Sequence, residues 1–146
     1  MSGARVEIMH GVNLDQLGRR DPAQYGRLTF DQLEQHISEY GRALGLTTRF
    51  FQTNHEGRFV EHLHTLEGLA DAIVLNPGAW THYSWAIRDA LEIAALPAVE
   101  VHLSDVMARE DWRHVSVVRD LCVATVSGMG PDGYRVALER LKEELG

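Results

Sequence analysis

Two hydrophobic rhythms alternate along the chain. Short runs dense in β-branched and large apolar residues fall at 5–9, 46–53, 71–75, 97–104 and 121–126, and each reads as a strand. Between them, apolar positions recur every three or four residues. Thr29-Phe-Asp-Gln32 has the layout of a capping box, with Thr29 as N-cap, and opens a helix that ends near Gly45 on the stripe Leu33, Ile37, Tyr40 and Leu44. A second helix is expected over 56–69 on Phe59, Val60, Leu63 and Leu66, and a third over 83–95. A last one covers 134–145 on Val136, Leu138, Leu141 and Leu145. Residues 14–27 break both rhythms, because Gly18, Pro22 and Gly26 are scattered among charged and polar side chains. An irregular loop of that length inside a compact domain is usually functional or disordered, and the part at about 19–27 reads as a mobile lid.

Strand and helix alternating without repeats or linkers predicts one α/β domain spanning 1–146. Continuous apolar strands suit a parallel sheet covered on both faces. The expected architecture is a flavodoxin-like, doubly wound, five-stranded parallel sheet in the order 2-1-3-4-5. In such sheets ligands sit beyond the carboxyl ends of the strands. That edge would gather Asn13, the Asn76–His82 loop and the end of the fourth strand, with the 14–27 loop able to fold over them. On the fourth strand Glu100, His102 and Ser104 share one face, while Val101 and Leu103 take the other. A carboxylate, an imidazole and a hydroxyl presented together are not how a core is normally built.

Charge narrows the choice of ligand. A formal net charge of −7 argues against a broad grip on nucleic acid or an anionic membrane, although arginines gathered in a cleft can still hold a small anion. No stretch approaches the ~20 apolar residues of a membrane span, and the first residues lack the basic-then-apolar layout of a signal peptide, so a cytoplasmic protein is expected. The single cysteine, Cys122, sits in an apolar run and reads as a small buried hydrophobe. Of 14 basic residues 13 are arginines, and the one lysine, Lys142, lies on the solvent side of the last helix, where it is no candidate for a desolvated Schiff-base amine.

Candidate chemistry centres on His102 as a general acid or base, with Glu100 able to orient its ring. The plain alternative is a hydrogen-bonded histidine at a strand end. Arg109 and Arg113 are four apart and would share one face of a helical turn, as ordinary surface charges also would. Arg20 and Tyr25 form a second pair: a free tyrosine has a pKa of about 10, so a tyrosine base needs a nearby cation. Two motifs point elsewhere. Gly128-Met-Gly-Pro-Asp-Gly133 matches a dinucleotide fingerprint, but no further strand or ribose-binding acid follows, so a tight turn is the better reading. His62-Leu-His64 places two histidines in different directions on a helix, and His10, His36, His55 and His114 add no ordered ligand spacing, so no metal is expected.

Taken together, several segments resemble one family: Gly11-Val-Asn13-Leu14, Leu17-Gly-Arg-Arg20, Pro22-Ala-Gln-Tyr25-Gly26, Gln52-Thr-Asn-His-Glu-Gly57, Asn76-Pro-Gly-Ala-Trp-Thr-His82, Ile87-Arg-Asp89 and Glu100-Val-His-Leu-Ser104 with Arg109 and Arg113. They are similar to those of type II 3-dehydroquinate dehydratases, over nearly the whole chain. The resemblance implies a cofactor-free lyase, converting 3-dehydroquinate to 3-dehydroshikimate through an enolate, built as trimers assembled into a dodecamer. It implies Tyr25 as the base, with its pKa depressed by Arg20, and His102 as the acid, oriented by Glu100. Asn13 would hold a water against the enolate oxygen. Asn76, Ser104 and the backbone amides of Leu103 and Ser104 would bind the carboxylate, and His82 and Arg113 the ring hydroxyls, with Arg109 in support. Asp89 would reach in from a neighbouring subunit. Val12 stands where the family usually has proline, and Asp105 where asparagine is usual. The competing class is a flavodoxin-like binding or receiver module, which would want an acidic cluster and a lysine after the last strand, or a coloured flavin. Gly128-Met-Gly130 supplies no such lysine.

Overall fold

The computed structural model describes residues 3–146. Five strands, β1 (Arg5–His10), β2 (Thr47–Gln52), β3 (Ala72–Asn76), β4 (Ala98–His102) and β5 (Ala124–Ser127), form a parallel sheet in the order β2-β1-β3-β4-β5. The expected flavodoxin-like topology is therefore the observed one. Helices α1 (Pro22–Tyr25), α2 (Phe30–Ala43), α3 (Glu56–His64), α4 (Trp85–Ala94) and α5 (Asp132–Leu145) complete the chain with five short 3-10 turns.

Side-chain alternation along each strand decides which helices it meets. Val6 and Ile8 of β1, Val74 of β3 and Val99 and Val101 of β4 pack with Leu33 and Ile37 of α2 and Tyr134, Leu138 and Leu141 of α5. Met9, Ile73, Leu75 and Ala98 point the other way, onto Phe59 and Leu63 of α3 and Ile87 and Leu91 of α4. Both faces are thus covered, which explains why the strands carry so little polar alternation. Each fully buried Ile or Leu contributes about 1.5–3 kcal/mol, so these two layers hold the sheet edge in place.

Helix boundaries follow local chemistry. α2 opens on the expected capping box: Thr29 Oγ1 accepts from the Gln32 amide at 3.2 Å while the Gln32 side chain accepts from the Thr29 amide at 3.0 Å. The second helix ends at His64, short of residue 69, because Thr65 caps it and 66–69 turns toward β3. Ser84 caps α4, so that helix starts two residues later than expected. The fifth strand is displaced as well: 119–121 is a 3-10 turn, and the strand occupies Ala124–Ser127 in place of 121–126. On α5 the buried stripe is Tyr134, Ala137, Leu138 and Leu141, with Val136 and Leu145 only partly covered. Residues 14–27 are also more ordered than their composition suggests. A turn at Leu14–Gln16 and the single helical turn α1 lie within them, the latter started by Pro22 at its first position and by Asp21, whose carboxylate accepts from the Ala23 amide at 3.0 Å.

Candidate active site

Three strands end side by side, with His10 opposite Asn76 and Leu75 opposite Glu100, and the chain beyond each end builds a cleft. Two glycines allow the segments after β1 and β3 to touch. A side chain at Gly11 would meet the Pro77 carbonyl at 2.3 Å, and one at Gly78, whose φ is +67°, would meet the Val12 carbonyl at 2.6 Å. Asn13, squeezed into the same turn, adopts the left-handed conformation with φ 69°, which costs an L-residue roughly 1–2 kcal/mol and asparagine less than most. The cleft encloses about 110 Å³ and is lined by Asn13, Arg20, Tyr25, Asn76, His82 and His102, together with Leu103, Ser104, Arg109 and Arg113. Ten of the twelve residues singled out in the sequence therefore meet at one place.

The other two lie outside that lining. Glu100 is fully buried behind His102 and accepts from its Nε2 at 2.5 Å and from Ser116 Oγ at 2.8 Å. Burial pushes this carboxyl up, but the bonds from His102 and Ser116 and the nearby positive charge of Arg119 outweigh it, so the group sits below the usual carboxylate range. A carboxylate at Nε2 fixes the ring's orientation. Asp89, on α4, is exposed and away from the cleft of its own chain.

His82 stacks near the His102 ring, 6.1 Å between centroids, and its Nδ1 bonds to the Val115 carbonyl at 2.6 Å. A carbonyl only accepts, so Nδ1 carries the hydrogen and Nε2 presents a lone pair. Burial lowers the His82 pKa, and the charges of His102 and Arg113 push it the same way, which favours this neutral form. Arg109 and Arg113 both reach the cleft, but not from one helical face. The 3-10 turns Val106–Ala108 and Asp111–His114 flank an extended Arg109, and Arg113 bonds to Glu110 at 2.8 Å.

Tyr25 reaches the cleft from α1. Arg109 Nη1 donates to its phenolic oxygen at 2.6 Å and to Ser104 Oγ at 3.1 Å, while the Arg20 guanidinium lies over the ring, 4.0 Å from its centroid. The cation that touches the oxygen is thus Arg109, and Arg20 is paired with the π face. In this structure the loop is folded over the strand ends, not displaced from them.

Behind the lining sit groups that sequence reasoning missed. The amides of Gly128 and Gly130 donate to the carbonyls of Ser104 and Leu103 at 3.0 and 3.2 Å, so the glycine motif after β5 braces the end of β4. Tyr134, fully buried, accepts from Asn76 Nδ2 at 3.4 Å and pairs with His10 Nε2 at 2.8 Å. Burial alone drives the His10 pKa down to about 3 and raises that of Tyr134. The signals available were a histidine ending β1 and a tyrosine on the apolar face of α5. Asp105 turns its carboxylate to the Met107 amide at 3.1 Å, as a cap outside the cleft. His62 points at the buried Glu7, 2.5 Å away, while His64 is exposed. Burial pushes the Cys122 thiol up to about 12, which makes it inert. Among the described residues no cluster of three or more His, Cys, Asp or Glu could hold a metal ion, and no helix is long and apolar enough to cross a membrane.

A flavodoxin-like sheet with acid–base side chains set among arginines at the ends of its strands defines the class of this protein. Comparison with known proteins makes the assignment specific. The family described as Dehydroquinase class II matches residues 4–142, and the chain belongs to it. It is similar to 3-dehydroquinate dehydratase 2 of Pseudomonas putida, 48% identical over 96% of this chain and 94% of that protein. The 3-dehydroquinate dehydratase of Thermotoga maritima is 45% identical over 97% and 96% respectively. Among solved structures, the type II dehydroquinase from Butyrivibrio crossotus superposes with a TM-score of 0.93 at 37% identity, covering 97% of this chain and 99% of that one.

Proposed function

We propose that this chain is a type II 3-dehydroquinate dehydratase that removes water from 3-dehydroquinate to give 3-dehydroshikimate without a cofactor, a step towards aromatic amino acids in the cytoplasm. Tyr25, as phenolate, takes the proton from C2, next to the ketone. The C–H electron pair moves into the ring and the carbonyl oxygen becomes an enolate. Asn13 holds a water that donates to that oxygen, and a donor prepared for developing charge of this kind typically lowers a barrier by ~3 kcal/mol. Return of the electron pair forms the C1–C2 double bond and expels the C1 hydroxyl, which His102 protonates so that water leaves. Solvent then resets both groups.

The observation that carries this reading is the pairing of two opposed acid–base groups over one cleft. One is the phenol under the Arg109 guanidinium; the other is the imidazole backed by the buried Glu100 carboxylate. A guanidinium thus stands at the phenolic oxygen and a carboxylate at Nε2, so each group is held by a partner of opposite character on its own side of the cleft. With Nε2 held by Glu100, Nδ1 of His102 is the nitrogen that serves the leaving group. Asn76, Ser104 and the amides of Leu103 and Ser104 hold the substrate carboxylate, with Arg109 beside them. Neutral His82 accepts from a ring hydroxyl through Nε2, and Arg113 donates to another. Arg20 holds Tyr25 through its ring face, and 19–27 acts as the lid of a single catalytic domain. Asp89 reaches the cleft of a neighbouring copy, in trimers assembled into a dodecamer. The exposed Tyr83 and Trp85 just before it support a subunit contact there.

The test is direct. Wild-type protein given 3-dehydroquinate is expected to form an enone absorbing in the near ultraviolet, with turnover insensitive to chelators and to borohydride. Tyr25→Phe should lose that activity while keeping its circular dichroism and melting temperature. A Tyr25→Phe protein that is folded and fully active would sink the mechanism, and an inert wild type would sink the reaction.

A further inference from the structure

Asn13 faces the cleft from a strained turn that its own neighbours close with a single long bond, from the Leu14 amide to the Gly11 carbonyl at 3.3 Å. Val12, before it, leaves φ unrestrained, and the first hydrogen bond of the following turn runs from the Gln16 amide to the Asn13 carbonyl, leaving the Asn13 amide for another partner. That partner is distant in sequence. Asn54 Oδ1 accepts from the Asn13 amide at 2.8 Å. The Asn54 side chain is itself held from two sides: its Nδ2 donates to Asp15 Oδ2 at 3.1 Å, and its Oδ1 also accepts from Gln52 Nε2 at 3.2 Å. Gln52 donates in addition to the Gly11 carbonyl at 3.2 Å, which ties the far end of the same turn. Every orientation in this chain of bonds is forced. A backbone amide can only donate, so Asn54 must offer its oxygen to Asn13, and a carboxylate can only accept, so Asn54 must offer its nitrogen to Asp15.

We propose that Asn54, oriented by Asp15 and Gln52, is a positioning residue that holds Asn13 in its left-handed conformation and so sets where its side chain meets the developing enolate. The catalytic half of this statement rests on the function proposed above; the clamp itself does not. Without Asn54 only the long Leu14–Gly11 bond restrains the turn, and the Asn13 backbone relaxes toward the ordinary right-handed or extended regions, which swings its side chain away from the cleft. Substrate binding changes little, because the carboxylate and hydroxyl contacts come from β3, β4 and the segment after β4. The enolate-forming step slows.

The experiment has two arms on the full chain. In the first, amide hydrogen exchange at Asn13 is followed by NMR in wild type and in Asn54→Ala, without substrate; the clamp predicts exchange faster by about tenfold or more in the variant. In the second, turnover of 3-dehydroquinate is measured with protium and with deuterium at C2. Asn54→Ala is expected to lower kcat by about tenfold with KM within about twofold, and to raise the deuterium isotope effect on kcat as proton abstraction becomes more rate-limiting. Asn54→Asp alone sets a second carboxylate against Asp15 and should also slow the enzyme. The exchanged pair Asn54→Asp with Asp15→Asn keeps the Asn13 and Gln52 bonds and reverses donor and acceptor only between positions 15 and 54, and should recover most of kcat and the wild-type isotope effect. Unchanged amide exchange in Asn54→Ala overturns the clamp. Faster exchange with unaltered kcat and isotope effect overturns its catalytic role. A wild type inert toward 3-dehydroquinate overturns the proposed reaction, and with it that role, and leaves the exchange arm to decide the clamp.

Discussion

In the proposed reaction the end of β4 and the loop at 19–27 supply the two halves, yet they are built in opposite ways. Glu100, His102 and Ser104 are 0%, 5% and 5% exposed, braced from behind by Ser116, Gly128 and Gly130. Across the cleft, Asp21, Pro22 and Ala23 are exposed, and Tyr25 is held by two arginines, one over its ring and one at its oxygen. The proposed acid is thus fixed by the fold, while the proposed base is held by its two arginines and by partial packing against the core. A site made this way keeps its electrostatic frame rigid and leaves one side free to admit substrate.

That contrast can be broken most sharply by paired substitutions. His102→Asn and Tyr25→Phe should each lower turnover by about 10³-fold, within the range of general acid–base catalysis. Their effects on folding should differ. His102→Asn removes the ring whose Nε2 bonds to the buried Glu100 carboxylate and should lower the melting temperature by several degrees, whereas Tyr25→Phe should leave it unchanged. Equal losses of stability would show that the loop belongs to the rigid frame.

A pH titration of stability sharpens the same point, because the shifted buried groups lie in the scaffold. His10 is neutral in the folded chain, with a pKa of about 3 against an ordinary 6.5, so its contribution is complete above pH 6.5 and is lost progressively as pH falls toward 3. Glu100 is depressed below its ordinary 4.5, so its contribution is complete above that value and is lost as pH falls through its lowered pKa. Stability measured by denaturant should therefore decline by about 1.4 kcal/mol per pH unit below pH 6.5 and more steeply below 4.5. His10→Asn should flatten the upper part of that decline. The smallest effect is expected on the loop side: Asp21→Ala removes the cap of α1 and should cost the loop about 1 kcal/mol or less of local stability, with a several-fold rise in KM and an unchanged melting temperature for the domain.

How much of this was legible in the sequence depends on which residues carried periodicity. The sheet order followed from alternating strand and helix patterns, and the capping box of α2 could be read from Thr29 and Gln32, because both signals are local. Asn13, Asn76, His82 and His102 could be placed together because strand ends in a parallel sheet share an edge. Arg109 reaching the phenol could not be read, since it depends on how 105–114 folds in three dimensions and its spacing suggested only a shared helical face with Arg113. Nor could the roles of Tyr134 and Asn54, which act through hydrogen bonds spanning 58 and 41 positions of sequence. The fifth strand was misplaced because Leu121 and Cys122 are apolar for another reason: they pack beside the α3–α4 layer from a turn.

The brace behind β4 also bears on how the protein is made. Synthesis runs from the N-terminus, so the segments carrying Asn13, Tyr25, Asn76 and His102 leave the ribosome before Gly128, Gly130 and Tyr134. Yet these later residues hold the Leu103–Ser104 segment and the Asn76 amide in place. A nascent chain that already displays all its catalytic side chains is therefore still unfinished as a site. The cleft should be fully braced only once α5 has emerged and docked.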